Sequence, residues 1–313
     1  MDVSVIVQSL APVLFLLGLG FLAGRTGQFD ASQTRVFSAL ALRYAIPAAL
    51  FLGMAHFDRS LLLEQGTLVL IILFFYTGFF IAGYVLLRVL NISALNSALF
   101  AYAGTSKAAT IYGLVALTPI FGAELGRGMV GLCALVMNLS QLSFALYMFN
   151  SATLPAGQKV QVGDIIRRTV TNPLVLAPAL GAVVSISGFS IPALVGDVLD
   201  PLAHAAGAIA LFACGLGMAS FKMQFTSRAV LLVCLVCLVI QPALFFLLLR
   251  VFDLSGPVAQ AAFVISTFPI AAKALLFAET YESEEGEIAT MLLVTSLAMV
   301  VMLPLSLWAS RFL

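Results

Sequence analysis

A chain of 313 residues that is 62% hydrophobic and only 9% charged, with a mean hydropathy of +1.12, is no ordinary water-soluble domain, where about a quarter of the residues are charged; it reads as an integral membrane protein. A formal net charge of +1 leaves no basic face to neutralise phosphates and excludes nucleic acid as a partner. The four cysteines, Cys133, Cys214, Cys234 and Cys237, all lie inside apolar runs, which fits neither a disulfide framework nor a zinc site.

Crossing the hydrocarbon core takes about 20 mostly apolar residues. On that criterion the pattern predicts ten spans: 3–24, 36–56, 67–90, 97–121, 128–149, 172–188, 198–219, 229–250, 257–280 and 288–309. The first begins with Asp2 where a secretory signal carries basic residues, and no small-x-small cleavage site follows, so it reads as a true span. Its Gly20 and Gly24 have the G-x-x-x-G spacing of close helix contact. The second span carries Arg43 just before Pro47; a long side chain there reaches the interface by snorkelling or meets a substrate.

The fourth span holds GTSKAATIYG, Gly104 to Gly113, between SALFAYA and LVALTPIF. Gly104, Thr105, Ser106, Thr110 and Gly113 weaken a helix or bond back to its backbone, so the span is expected to break there, around Lys107. The fifth carries Asn138 and Gln141, a polar patch of the kind that bonds helix to helix or lines a cavity. A polar connection at 150–171 then divides the chain into a first five-helix repeat, 1–149, and a second, 172–313. LGMAHF (Leu52 to Phe57) closes the second span and LGMASF (Leu216 to Phe221) the seventh, an echo at equivalent places. Gln241, before Pro242, is the polar residue of the eighth. The ninth repeats the interruption: Ser266, Thr267 and Pro269 precede a second central lysine, Lys273, and proline both removes a donor and clashes with the preceding turn.

Five spans return the chain to the opposite side, so the second copy is expected to be inverted. Arg25, Arg35, Arg88, Lys159, Arg167, Arg168, Lys222 and Arg228 fall on one set of loops, against Arg59, Arg127, Arg250 and Arg311 on the other. The positive-inside rule then places 150–171 in the cytoplasm and both termini outside it. Paired interruptions in corresponding spans point to a transporter's binding site, because freed backbone groups are tolerated in a bilayer only where they line a cavity or are buried in protein.

Three readings of Lys107 and Lys273 stand side by side. They present positive charge to an anionic substrate, with Thr105, Ser106, Thr110, Ser266 and Thr267 as neutral donors; they sit against exposed half-helix carbonyls where a coupling ion would otherwise bind; or they snorkel or pair with a carboxylate. Glu279 is the one acid placed inside a span near either break. His56 and His204 lack the spacing of a metal pair, and no P-loop, nucleophile elbow or H-E-x-x-H is present. No metal, no cofactor and no enzymatic activity are expected.

NPLVLAPALGAVVSISGFSIP (Asn172 to Pro192), DPLAHAAGAIALFACGLGMA (Asp200 to Ala219), and the last two spans with Pro269 and MLLVTSLAMVVMLPL resemble the auxin efflux carrier family, in particular its compact bacterial members described as malonate or malate permeases. The resemblance implies an all-α membrane fold of ten helices in two inverted repeats, shared with bile-acid:sodium symporters and sodium/proton antiporters, in which broken helices 4 and 9 cross. It further implies a scaffold of spans 1, 2, 6 and 7, through which such proteins form homodimers, and a moving domain of spans 3–5 and 8–10. Many members carry asparagine at the breaks; here Lys107 with Ala108, and Lys273, stand nearest, which argues against a sodium ion at that spot. The expected protein is therefore a multi-pass transporter of the inner or plasma membrane that carries a small organic anion, without sodium, by elevator-type alternating access. A sodium-coupled symporter and a non-transporting sensor are the alternatives.

Overall fold

The computed structural model describes residues 3–154, 160–189 and 191–313. Asp2 and Lys159, used above for the N-terminus and the charge count, lie outside them. The described residues form helices, with no β-structure beyond one isolated pairing of Lys107 with Ile270. We number the main helices α1 (Val3–Arg25), α2 (31–55), α3 (Gly66–Val89), α4 (Ala94–Thr105), α5 (Ala109–Ala116), α6 (Ala123–Thr153), α7 (Pro173–Ser187), α8 (Ala193–Ala219), α9 (Arg228–Val251), α10 (Gly256–Ser266), α11 (Lys273–Thr280) and α12 (Glu285–Ser310).

Seven of these are long and apolar enough to cross a membrane, or up to eight if the Val162–Val170 helix and α7, bent by 59°, count as one span. The ten-span pattern is thus not matched by ten continuous helices. The predicted spans 97–121 and 257–280 are each interrupted, giving α4 with α5 and α10 with α11, and 172–188 yields a helix of 15 residues. Another difference lies in the connection 150–171, which contains the Val162–Val170 helix. Its Ile165 and Thr169 are buried one turn apart while Arg167 and Arg168 are exposed in its last turn, where positive charge complements the carbonyl end of the helix dipole. Nine residues are too short a window for that periodicity to stand out against the polar residues around it.

Caps set where the helices begin. Asp30 and Gln33 form a reciprocal capping box at the start of α2, the Ser93 hydroxyl accepts from the Asn96 N–H at α4, and Asn172 accepts from the Leu174 N–H ahead of α7, each satisfying a donor that the first helical turn leaves without a partner. Pro173 sits in the first turn of α7, where no N–H is needed.

Packing follows small residues. α1 lies against α8, and a Cβ built on Gly20 would stand 2.2 Å from the Phe212 carbonyl oxygen, while one on Gly215 would stand 2.3 Å from the Leu17 carbonyl oxygen. Bilayer tails are as apolar as leucine, so helices associate through close van der Waals contact rather than hydrophobic exclusion. Gly20→Ala should force α1 and α8 apart and cost about 1–3 kcal/mol, read as a lower melting temperature in detergent. Gly18→Ala is the control: nothing lies within 4 Å of its Cβ position, and its melting should match the parent protein.

The interrupted segments occupy the centre. Residues 97–109 and 261–271 are buried without exception, whereas large apolar side chains such as Phe15, Phe74 and Leu194 stand exposed on the outer helices, as lipid contact requires. Non-helical backbone is thereby enclosed in protein, the condition for its survival at membrane depth.

Candidate functional site

α4 ends at Thr105 and α5 begins at Ala109; α10 ends at Ser266 and α11 begins at Lys273. The two gaps face each other as a two-residue antiparallel pairing. The Ala108 N–H donates to the Pro269 carbonyl and the Ala271 N–H to the Ser106 carbonyl, each at 2.9 Å, with Lys107 opposite Ile270. The Ile270 N–H donates to the Thr295 hydroxyl on α12 at 3.3 Å, and the Gln241 side-chain amide on α9 donates to the Thr105 carbonyl at 3.3 Å. Groups that lost their helical partners thus find them across the gap or on neighbouring helices, as buried backbone at membrane depth demands.

Each lysine meets an uncharged acceptor. The Lys107 ammonium, 6% exposed, donates to the Cys237 carbonyl at 2.7 Å and lies 3.0 Å from the Cys237 sulfur. That carbonyl is spare for a local reason. Val236–Ile240 forms a π-helical turn in which the Gln241 N–H goes back to Val236, and the next residue, Pro242, has no N–H to offer Cys237. Lys273, half-buried, donates to the Asn138 side-chain carbonyl, and Asn138 in turn donates to the Leu174 carbonyl at 3.4 Å. Among the described residues the one ion pair is His204 with Asp200, so neither lysine has a carboxylate partner there.

A cavity of about 30 Å³ is lined by both lysines together with Tyr102, Ser106, Ala108, Ala109, Thr110, Asn138, Gln141, Ala272 and Leu42. Its volume is that of a water molecule or two. Its wall holds no acid, and it holds the first residues of α5 and of α11, whose leading N–H groups have no intrahelical acceptors and carry the positive end of the helix dipole. Leu42, Ile111 and Ala272 are shared with a second cavity of about 550 Å³, lined further out by Arg35, Glu279, Glu282 and Glu285. Glu279 thus belongs to the wider cavity and not to the lysine-lined one.

A profile of the membrane transport protein family matches residues 5–308. The chain belongs to that family, the auxin efflux carriers. It is similar to the uncharacterized transporter YfdV of Escherichia coli K12, of E. coli O157:H7 and of Shigella flexneri, each 26% identical over 307 residues, covering 97% of this chain and 98% of the relative. The relatives named here and the family as a whole are transporters, and the chain is a multi-pass membrane protein.

Within this auxin efflux carrier family member, the residues singled out by sequence fall into three groups. Ser106, Lys107, Thr110, Asn138 and Lys273 come together on the small cavity. Thr105, Ser266 and Thr267 are buried beside it with their hydroxyls donating to the carbonyls of Ala101, Phe263 and Val264 on their own helices, and Gln241 is buried behind it on α9. Of the residues expected to break the helices, Pro269 lies in the gap, while Gly104 and Gly113 lie inside α4 and α5. The break falls at Ser106–Ala108, around Lys107 as expected, and Gly113 serves close packing: a Cβ there would stand 2.5 Å from Val130. Arg43 is exposed on α2, away from both cavities. Sequence reasoning missed Cys237 and Leu42. Prolines 242 and 47, each the second residue after a π-helical turn, were the available signal.

Proposed function

We propose that this chain is a secondary transporter that carries a small organic anion across the inner or plasma membrane, with the carboxylate held between Lys107, Lys273 and the N-termini of α5 and α11. One observation carries the reading: four sources of positive potential converge on a cavity whose wall has no carboxylate. An anion is the species that such a wall stabilises, and a sodium ion is the species it repels, so transport is sodium-independent. The small cavity takes the carboxylate, and the remainder of the substrate extends past Leu42, Ile111 and Ala272 into the wider one.

In this reading the two broken segments are corresponding members of two inverted five-helix repeats, ten spans in all, and cross at their gaps. α1 packs on α8, α8 on α2 and α2 on α7, a connected layer that supports a role as scaffold and dimerisation unit. The helices around the gaps then move against it as an elevator, exposing the lysine-lined cavity to each side in turn. Both termini lie outside the cytoplasm, as the positive-inside rule requires.

The test is uptake of radiolabelled small carboxylates into proteoliposomes, with sodium or choline as the external cation. Accumulation unaffected by choline is expected. Uptake that stops in choline would establish the sodium-coupled alternative, and binding without accumulation would establish a sensor.

A further inference from the structure

The seam between α5 and α8 borders two cavities. The wide one of about 550 Å³ takes Ile111 from α5 and Cys214 and Gly217 from α8. Another, of about 250 Å³, takes Val115 from α5 and Ala203 and Gly207 from α8. The helices touch there, since a Cβ built on Gly207 would stand 2.4 Å from Val115. Arg127 on α6 and His204 on α8 also line this second cavity, and the Arg127 guanidinium donates to His204 Nε2 at 3.3 Å. A guanidinium can only donate, so Nε2 is the acceptor. The other ring nitrogen, Nδ1, lies 2.7 Å from the Asp200 backbone carbonyl, which can only accept, so Nδ1 carries the proton. Both contacts demand the same neutral tautomer of His204. The Asp200 carboxylate stands 3.9 Å from Nδ1, in reach of the ring once it is charged.

We propose that Arg127 and His204 form a pH-sensitive latch that holds the moving helices against the scaffold on the non-cytoplasmic side, and that acid on that side releases it. The inference rests on the transporter reading above, in which α6 moves and α8 stays. An imidazole changes charge between pH 5 and 8, and the His204 side chain is 60% exposed, so protons from solution reach it. Protonation turns Nε2 from acceptor into donor, facing a guanidinium that has no acceptor to offer. The imidazolium keeps Asp200, four residues back on its own helix, and loses Arg127. A contact between two groups of helices is thereby exchanged for one within a single helix. The charges around the ring leave that exchange intact. α5 brings only Tyr112, bonded to Ser296, and α1 brings none before Arg25. Arg35 of α2 and Glu285 of α12 lie at the wide cavity, and Arg43 is exposed away from it. His56 and Glu124 line a neighbouring cavity that Arg127 also borders, yet among the described residues no carboxylate pairs with Arg127.

The experiment measures the distance between the two groups of helices with no ligand added. Leu70→Cys on α3 and Leu194→Cys on α8 replace exposed residues and carry spin labels, while the four native cysteines are buried. Double electron–electron resonance is recorded on the full-length protein in nanodiscs at pH 7.5 and 5.5. A second distance is expected at pH 5.5, with the ratio of the two populations shifted about tenfold, in line with loss of one hydrogen bond from a charged group. His204→Phe has no acceptor and is expected to show the second distance at both pH values, as is Arg127→Met. His204→Gln, whose side-chain oxygen accepts from Arg127 without titrating, is expected to keep the first distance at both. One unchanged distance in the parent protein and all variants overturns the latch, and carboxylate uptake by the same protein then leaves the transporter reading standing. An acid response that persists in His204→Gln assigns it to another group and also overturns the latch.

Discussion

Lys273→Met is expected to weaken carboxylate binding about 100-fold, in line with loss of a charge-assisted hydrogen bond, and to leave the melting temperature of the ligand-free protein close to that of the parent. Lys107→Met is expected to lower that melting temperature as well as the affinity. The asymmetry follows from how each ammonium is engaged. Lys273 is half-buried and its one protein acceptor is the Asn138 side chain, so two of its three N–H donors remain for substrate, and water entering from the adjoining cavity can replace the one it gives Asn138. Lys107 is 6% exposed and gives two of its three donors to the Cys237 carbonyl and sulfur. Removing it leaves that carbonyl without a donor, because Gln241 is committed to Val236 and Pro242 has no N–H, at a cost of about 1–3 kcal/mol. Thermal denaturation with and without ligand, read beside uptake in proteoliposomes, separates the two effects. Parent-like binding and uptake in both variants would remove the lysines from the site.

The two lysines and their interrupted helices were legible because the signals are local. A charge inside an apolar run, and glycine, serine, threonine and proline within a span, each change the energy of a helix at their own position. What stayed hidden depends on neighbours. Nothing local in Thr105, Ser266 or Thr267 tells whether a hydroxyl turns into a cavity or back onto the carbonyl of its own helix, and the structure shows the latter for all three. Gly113 looked like a breaker but stands in a helix pressed against Val130, and only the packing of α5 on α6 distinguishes these uses of glycine. The acceptor of Lys107 lies 130 residues away and exists because a π-helical turn and a proline fall in succession. The proline is visible in sequence, but the turn is not.

Ala108→Pro should abolish transport and lower the melting temperature, and it does so by deleting one hydrogen atom. Ala108 has φ −80°, within the range that a proline ring imposes, and it follows Lys107, whose place in the antiparallel pairing is the extended backbone that a residue before proline prefers. The substitution therefore fits the chain and removes the N–H that donates to the Pro269 carbonyl at 2.9 Å. That carbonyl lies in a buried run, 261–271, so leaving it without its donor costs about 1–3 kcal/mol and more at membrane depth. Half of the backbone pairing that joins the two gaps goes with it. The N-termini of α5 and α11 face one cavity because that pairing fixes Ser106–Ala108 against Pro269–Ala271, and once it loosens, the lysines no longer share a site. Ala108→Gly keeps the N–H and is expected to retain both substrate binding and the paired geometry, at a small entropic cost. A proline variant that melts and transports like the glycine variant would show that the gaps are held together by side-chain packing and that their backbone pairing is incidental.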